Sequence, residues 1–511
     1  MNKRMRRDVE CACEYVLPDY MGDIKKILTS KARVLPGGRF VSEDGVDITG
    51  TVEYEVLYAD SENKLTAVNA SSDYSVVLPT DAESYVGCAA DCHVEGFSIR
   101  ITGPRKMSLK STVGVSAIVT TSANIEVVGD AFDGEREPQY VSREISVESA
   151  KYGKSLEREY AEEAERIGGV MSDEVEIIAT GGSVRILETR PIDGGVAIKG
   201  VVVIGAIVRT PEQPPFAIRR EIPFEETVEI EGALKDMNVI ADGILTSATL
   251  GVSEDGEECV ISANAIVEFE AYALENVGIN VVTDAYLKEC PTDCKYSDFE
   301  YTTLGACQIN EATVTAKLSR ASIGCAEARE LLTLDGEVKS YNVSHTPGGA
   351  EISGEIAISG IACEINVDNS VGYTPIKAIV PFSTNVNYNC QIPENSRMEC
   401  SLTVSSCEGL LDADDVHLKI ALKVKSRVEN VSIVSRLVEC VTTADEYPAC
   451  ELATPSHITV YYPTSSDSLF SVAKRFHTTP EKIACDNTLA ATASATDASD
   501  SLLGVKKLVI R

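Results

Sequence analysis

Apolar residues recur at every second position in three stretches of the chain, and each stretch opens on a glycine. They read "GTVEYEVLY" from Gly50, "GVVVIGAIV" from Gly200 and "GEIAISGIA" from Gly354. Laid glycine on glycine, they put Val52, Tyr54, Val56 and Tyr58 in register with Val202, Ile204, Ala206 and Val208, and with Ile356, Ile358, Gly360 and Ala362. Period two is the pleat of a strand, so one face of each stretch is predicted to be buried. A polar turn and a second run follow in each copy, closing at Pro79, Pro223 and Pro381, which makes each a β-hairpin. The glycines lie about 150 residues apart, far beyond the ~20–50 of stacked solenoid repeats, so the copies read as tandem domains.

The flanks repeat as well. Before the first hairpin, Ile24, Ile27 and Leu28 stand at i, i+3 and i+4, which predicts one or two helical turns leading into a strand through Val34. Ser172 to Ile186 and Glu327 to Val338 hold the equivalent places in the next copies. After each hairpin comes another alternating strand: Leu109 to Val119, Cys259 to Phe269, and "DVHLKIALKVK". In the last, Val416, Leu418, Ile420, Leu422 and Val424 oppose His417, Lys419, Lys423 and Lys425. Such two-faced strands predict antiparallel sheets with one wet side. The fold class is mainly β: three tandem sandwich-like domains at 1–130, 143–280 and 298–445, with a small βααβ domain at 456–511. Linkers are read at Asp130 to Ser142, Tyr286 to Asp298 and Glu446 to His457, where Gly, Pro and charge accumulate. "SLEREYAEEAERI" (Ser155 to Ile167) has helical composition in a place that asks for a strand, and stays open.

The tail changes period. Ile458, Val460 and Tyr462 alternate as a short strand, and Asp467 or Ser468 can cap a helix with the stripe Leu469, Val472, Ala473 and Phe476. Thr479 is a second N-cap, with Pro480 at the first helical position and Glu481 at the positive end. A polar run from Thr488 to Ser501 precedes a closing strand, Val505 to Ile510.

Composition narrows the function. The net charge of -33 over 511 residues argues against nucleic acid, which needs clustered Lys and Arg. From Ser456 onward six Lys or Arg meet five Asp or Glu, so the tail is a module of different electrical character. No apolar run of ~18 residues predicts a membrane span, and the basic start lacks the apolar stretch of a secretory signal. The sixteen Cys are therefore expected as reduced thiols. Trp is absent, which weakens carbohydrate stacking. No phosphate-loop, dinucleotide, zinc-protease or esterase signature occurs. Cys11 with Cys13, Cys88 with Cys92 and His93, and Cys290 with Cys294 each lack the second pair that structural zinc uses. The expectation is a non-enzyme with no cofactor and no metal.

Two resemblances sharpen this. The tail resembles a LysM domain through Asp467, Leu469, "SVAKRF" (Ser471 to Phe476), "TTPEKI" (Thr478 to Ile483), Asn487 and "GVKKLVI" (Gly504 to Ile510). LysM modules bind N-acetylglucosamine glycans such as peptidoglycan through the first turn and the loop before the last strand. The resemblance thus implies binding residues at Thr464, Ser465, Ser466, Asp467, Ser468, Asn487, Leu502, Leu503 and Gly504. "PTSSDS" replaces the usual Gly-bearing turn, and Leu503 stands where Pro is usual. "LPDYMGDI" (Leu17 to Ile24) and the three Gly-to-Pro hairpins resemble the SPOCS domains of clostridial sporulation proteins. Three such units and one LysM module form the layout of the SipL family of spore-coat morphogenetic proteins. That resemblance implies a scaffold in the mother-cell cytoplasm at the forespore surface, whose tail docks the coat ATPase, stage IV sporulation protein A. Peptidoglycan binding is the alternative.

Overall fold

The computed structural model describes residues 2–80, 85–121, 138–211, 213–256, 258–366, 370–388, 392, 396–442, 447, 458–489, 502 and 504–511. It is mainly β. The first copy runs through β1 (Asn2–Val16), β2 (Ile24–Ser42), β3 (Gly45–Asp60), β4 (Leu65–Leu78), β5 (Tyr85–Gly103) and β6 (Lys106–Thr121). Strands β2-β3-β4 form one antiparallel meander, and β1-β6-β5 a second sheet in which the first strand of the copy pairs with the last.

The same pairing recurs twice. After β7 (Gln139–Tyr152) come β8 (Leu156–Gly168), β9 (Glu176–Ile192), β10 (Gly195–Arg209), β11 (Phe216–Glu229), β12 (Asn238–Asp255) and β13 (Glu258–Tyr286). Here β9-β10-β11 is the meander, and β13 pairs with β12, β8 and β7. The third copy has β14 (Thr292–Ser319), β15 (Ala328–Thr346), β16 (Gly349–Ile365), β17 (Val371–Asn387), β18 (Arg397–Leu411) and β19 (Asp415–Thr442), with sheets β15-β16-β17 and β14-β19-β18. The chain ends in β20 (Thr459–Tyr461), α1 (Leu469–Arg475), α2 (Pro480–Asp486) and β21 (Leu508–Ile510).

Each copy packs its two sheets around its own core. Val52, Tyr54, Val56 and Tyr58 of β3 meet Leu109, Val113, Val115 and Val119 of β6, and the equivalent strands do the same in the other copies. The leading glycines have a geometric reason. Gly50, Gly200 and Gly354 lie opposite Tyr74, Phe224 and Phe382 on the neighbouring strand. A Cβ there would strike that aromatic ring and the carbonyl oxygen of Leu35, Arg185 or Ser340. Beside each glycine the edge strand slips register, at Pro36/Arg39, at Ile186/Glu188 and at Val338/Ser340. The glycine lets the bulged edge close down, and the ring covers the bare backbone.

The chain forms two compact units. The larger is Met1–Ser122, Ala150–Glu275 and Gly305–Glu429; the smaller is Ala123–Ser149, Asn276–Leu304 and Asn430–Arg511. Within the larger unit the three meanders share an apolar cluster of Leu28, Leu57, Ala59, Leu65, Ala179, Ile207, Leu332, Ile361 and Cys363, all buried. Leu57, Ile207 and Ile361 each stand seven residues after the leading glycine, so one site of the repeat appears here three times over. Polar contacts close the circuit. Arg209 donates to the Leu65 carbonyl, Ala217 N–H to Glu330, and Asn63 to the Val371 carbonyl, at 2.9, 2.8 and 2.8 Å.

Several expectations are corrected. The helical lead-in is strand β2: register shifts at Ile24/Lys26 and Ile27/Thr29 break the alternation, so Ile24 and Ile27 pack on the copy's own core while Leu28 enters the shared cluster. Two bulges therefore imitate a helical spacing. Ser155 to Ile167, open between helix and strand in sequence, is strand β8 from Leu156 on, held by pairing to β13 and by Leu156, Tyr160 and Ala164 on the core. The middle linker shrinks to 287–291, because β13 runs to Tyr286 and β14 starts at Thr292. Residues 130–137 of the first linker lie outside the described residues, and β7 begins at Gln139. The third linker is outside them apart from Tyr447. The wet side also fails in part: Lys423 and Lys425 meet acidic partners from other copies.

Candidate docking site in the C-terminal module

The turn before α1 is built around one carboxylate. Asp467 is buried, and its Oδ2 accepts from the Thr464 N–H at 2.7 Å, the Tyr461 hydroxyl at 2.8 Å and the Thr464 hydroxyl at 3.0 Å. The Thr464 N–H and the Tyr461 hydroxyl, against some burial, hold the carboxyl below the usual carboxylate range. Arg475 donates to the Tyr461 hydroxyl at 2.7 Å and lies over its ring, which also packs edge-on against Phe476. Ser468 caps α1 in a reciprocal pair with Ser471, and Thr479 caps α2 through the Lys482 N–H.

Asn487 fastens the end of α2 to β21: it donates to the Ile483 and Val509 carbonyls and accepts from the Val509 N–H. Leu502 is buried, and its N–H donates to the Asp467 carbonyl at 3.2 Å, which brings the two loops together. Gly504 is exposed at a φ of 88°, a conformation that suits glycine. Leu503 and residues 490–501 lie outside the described residues. Of the residues singled out in sequence, Asp467, Ser468, Asn487 and Leu502 hold the module together. Thr464, Ser465, Ser466 and Gly504 face solvent.

The helical side is already occupied within the smaller unit. The Tyr286 hydroxyl donates to the Thr478 carbonyl at 2.6 Å, and its ring meets Phe470 edge-on with centroids 5.2 Å apart. Lys474 reaches both Asp284 oxygens at 2.6 and 2.8 Å. Among the described residues the turn and the short sheet are open, with Ile458, Val460 and Tyr462 64, 49 and 70% exposed. The alternation in this strand therefore marks its outer face.

Replacing Asp467 by Ala removes a charged acceptor from three donors and is expected to cost the module about 2 kcal/mol at pH 7. Because the folded carboxyl titrates below its unfolded value, its contribution is present above pH ~4 and is lost as pH falls through the lower folded value. Amide exchange in α1 should therefore be faster in the variant at pH 7, and the gap should narrow at pH 3.

The larger unit holds a second candidate, a cavity of about 3280 Å³ lined by all three copies. Several of its charges are paired across copies or strands. Lys31 lies 3.1 Å from Glu55 and 3.6 Å from Asp335; Lys425 lies 2.5 Å from Asp242 and 3.6 Å from Asp91. Burial works against ionisation of Asp242, yet the ammonium groups of Lys425 and Lys423 hold its carboxyl well below the usual range. Sequence reasoning missed these contacts, since no periodicity links residues of different copies. The thiols lining the cavity are poor nucleophiles. Burial pushes Cys88 and Cys400 up to about 11 and Cys407 to about 12. Among the described residues, no group of three His, Cys, Asp or Glu could hold a metal ion, and no helix is long and apolar enough to cross a membrane.

No curated protein and no solved structure matches the chain. Two stretches do match a family model, residues 23–102 and 175–252, which begin beside β2 and β9 and end in β5 and β12, equivalent places in the first two copies. By that match the chain is similar, over these two stretches, to the family described as SipL, SPOCS domain.

Proposed function

We propose that this chain is a non-enzymatic assembly protein of the spore envelope. In this reading all three copies are SPOCS units forming a scaffold, and the βααβ tail is a LysM-like module that docks a protein partner. The partner is a coat morphogenetic ATPase resembling stage IV sporulation protein A, met in the mother-cell cytoplasm at the forespore surface. The family match at residues 23–102 and 175–252 supports the sporulation context. The observation that carries the docking reading is the division of the tail into a helical side engaged by Tyr286 and Asp284 and an open side of Thr464 to Ser466 with Ile458, Val460 and Tyr462. Exposed loops beside an apolar strand face suit a protein surface. The Asp467 carboxylate, spent on internal donors, offers little to a sugar.

The test uses the full chain with Ser466→Arg, an exposed change at the tip of the turn that gives up a 3.0 Å contact with the Thr464 hydroxyl but leaves the Thr464 N–H and Tyr461 bonds to Asp467 in place. Binding to the purified ATPase is expected to weaken at least about tenfold, with melting unchanged, since a long charged side chain would occupy the contact face. Saturable binding to purified sacculi that Ser466→Arg abolishes, with ATPase capture untouched, would instead establish the module as a glycan binder.

A further inference from the structure

The smaller unit contains a thiol pair that none of the docking contacts uses. Cys294 on β14 and Cys440 on β19 face each other with their sulfurs 3.1 Å apart. The next positions repeat the geometry, with Lys295 and Glu439 joined at 2.6 Å. Residue 294 thus stands against 440 and 295 against 439, as cross-strand neighbours do. Such neighbours have Cα atoms about 4.5–5.5 Å apart, inside the span a disulfide bridges. Cys294 is half-buried and Cys440 buried, so Cys294 is the more accessible of the two thiols.

We propose that Cys294 and Cys440 are an oxidisable pair that closes to a disulfide on exposure to peroxide, joining β14 to β19. Cys294, as thiolate, attacks one peroxide oxygen; the O–O bond breaks, hydroxide leaves and takes a proton, and Cys294 becomes a sulfenic acid. Cys440 then attacks that sulfur. The S–S bond forms as the S–O bond breaks, and the departing hydroxide carries off the Cys440 proton as water. Two thiols and one hydrogen peroxide thus give one disulfide and two waters. Burial, and then the neighbouring Cys294, push the Cys440 thiol up, which makes it a poor first nucleophile toward peroxide.

The position gives the bond a consequence. Cys294 also donates to the Ala285 carbonyl at 3.3 Å, next to Asp284, which receives Lys474 of α1 and the Tyr296 hydroxyl. The two sulfurs lie 146 positions apart in sequence, so the cross-link closes a long loop and should stabilise the strands on which the tail sits.

The experiment treats the reduced full chain with graded hydrogen peroxide, blocks remaining thiols, and maps linked peptides by mass spectrometry without reduction. The Cys294–Cys440 link is expected at a peroxide dose at least about tenfold below that giving any other link, with slower amide exchange in α1. In Cys440→Ser, Cys294 should instead accumulate as a sulfenic acid trapped by a dione reagent. A chain in which both thiols remain alkylatable while others oxidise, or in which Cys294 proceeds to sulfinic acid without joining Cys440, would overturn the proposal.

Discussion

Changing Ile361 to Asp is expected to unfold the larger unit. Ile361 is fully buried in the cluster shared by the three meanders, among Leu28, Leu57, Ile207 and Leu332, an apolar setting for a carboxylate. Burying an unpaired charge there costs several kcal/mol and, with the lost apolar contact, should exceed about 4 kcal/mol, a large share of a domain's stability. Ile433→Asp, at a site 64% exposed on β19, provides the control and should change stability by no more than about 0.5 kcal/mol. Denaturant unfolding at neutral pH reads both. If Ile361→Asp melts like the unaltered chain, the cluster is not a shared core.

The second large effect belongs to the leading glycines. Gly354→Val should destabilise by about 3 kcal/mol or more, because the new side chain would overlap the Ser340 carbonyl oxygen and the Phe382 ring. The oxygen belongs to a bulged edge strand and cannot retreat without opening the sheet. Gly200→Val should behave alike against Arg185 and Phe224. Gly251→Val on β12 is the comparison: its nearest neighbour is an Asn264 side-chain nitrogen 3.7 Å away, and the residue is exposed. Equal melting curves for Gly354→Val and Gly251→Val would show that the glycines mark a repeat without constraining it.

The copied hairpins were readable because a pleat with one apolar face leaves an unambiguous mark. Val52 to Tyr58, Val202 to Val208 and Ile356 to Ala362 are buried where alternation puts them. Strand order was not readable. Pairing of β1 with β6 joins residues about a hundred positions apart, and no local pattern encodes such a partner. The lead-in misled for a physical reason, since two bulges shift parity and place Ile27 and Leu28 on different cores. One signal is common to the copies: Leu57, Ile207 and Ile361 put a large apolar residue on the second face at the same repeat position, after Thr51, Glu53 and Glu55 in the first copy but after Val201, Val203 and Gly205 in the second. A large apolar residue repeated on the face turned away from a copy's own core suits contact between copies, and here the three residues meet in the shared cluster.

In the tail, capping chemistry located both helices, since Ser468 and Thr479 bond the N–H groups three positions on. The roles of the binding candidates were less accessible. Asp467 and Asn487 look like ligand-facing polar residues in a string of letters, but each satisfies backbone groups within the module. The thiol pair at Cys294 and Cys440 was beyond sequence alone, because their proximity depends on the register of β14 against β19.

Through the shared cluster, three copies of one strand pattern are stabilised jointly. Amide hydrogen exchange along β3, β10 and β16, compared between the unaltered chain and Ile361→Ala, addresses it directly. The account predicts that truncating this one side chain, at a cost of about 2–4 kcal/mol, speeds exchange in Val52 to Tyr58 and Val202 to Val208 as well as in Ile356 to Ala362. Faster exchange confined to β16, with β3 and β10 protected as before, would contradict it.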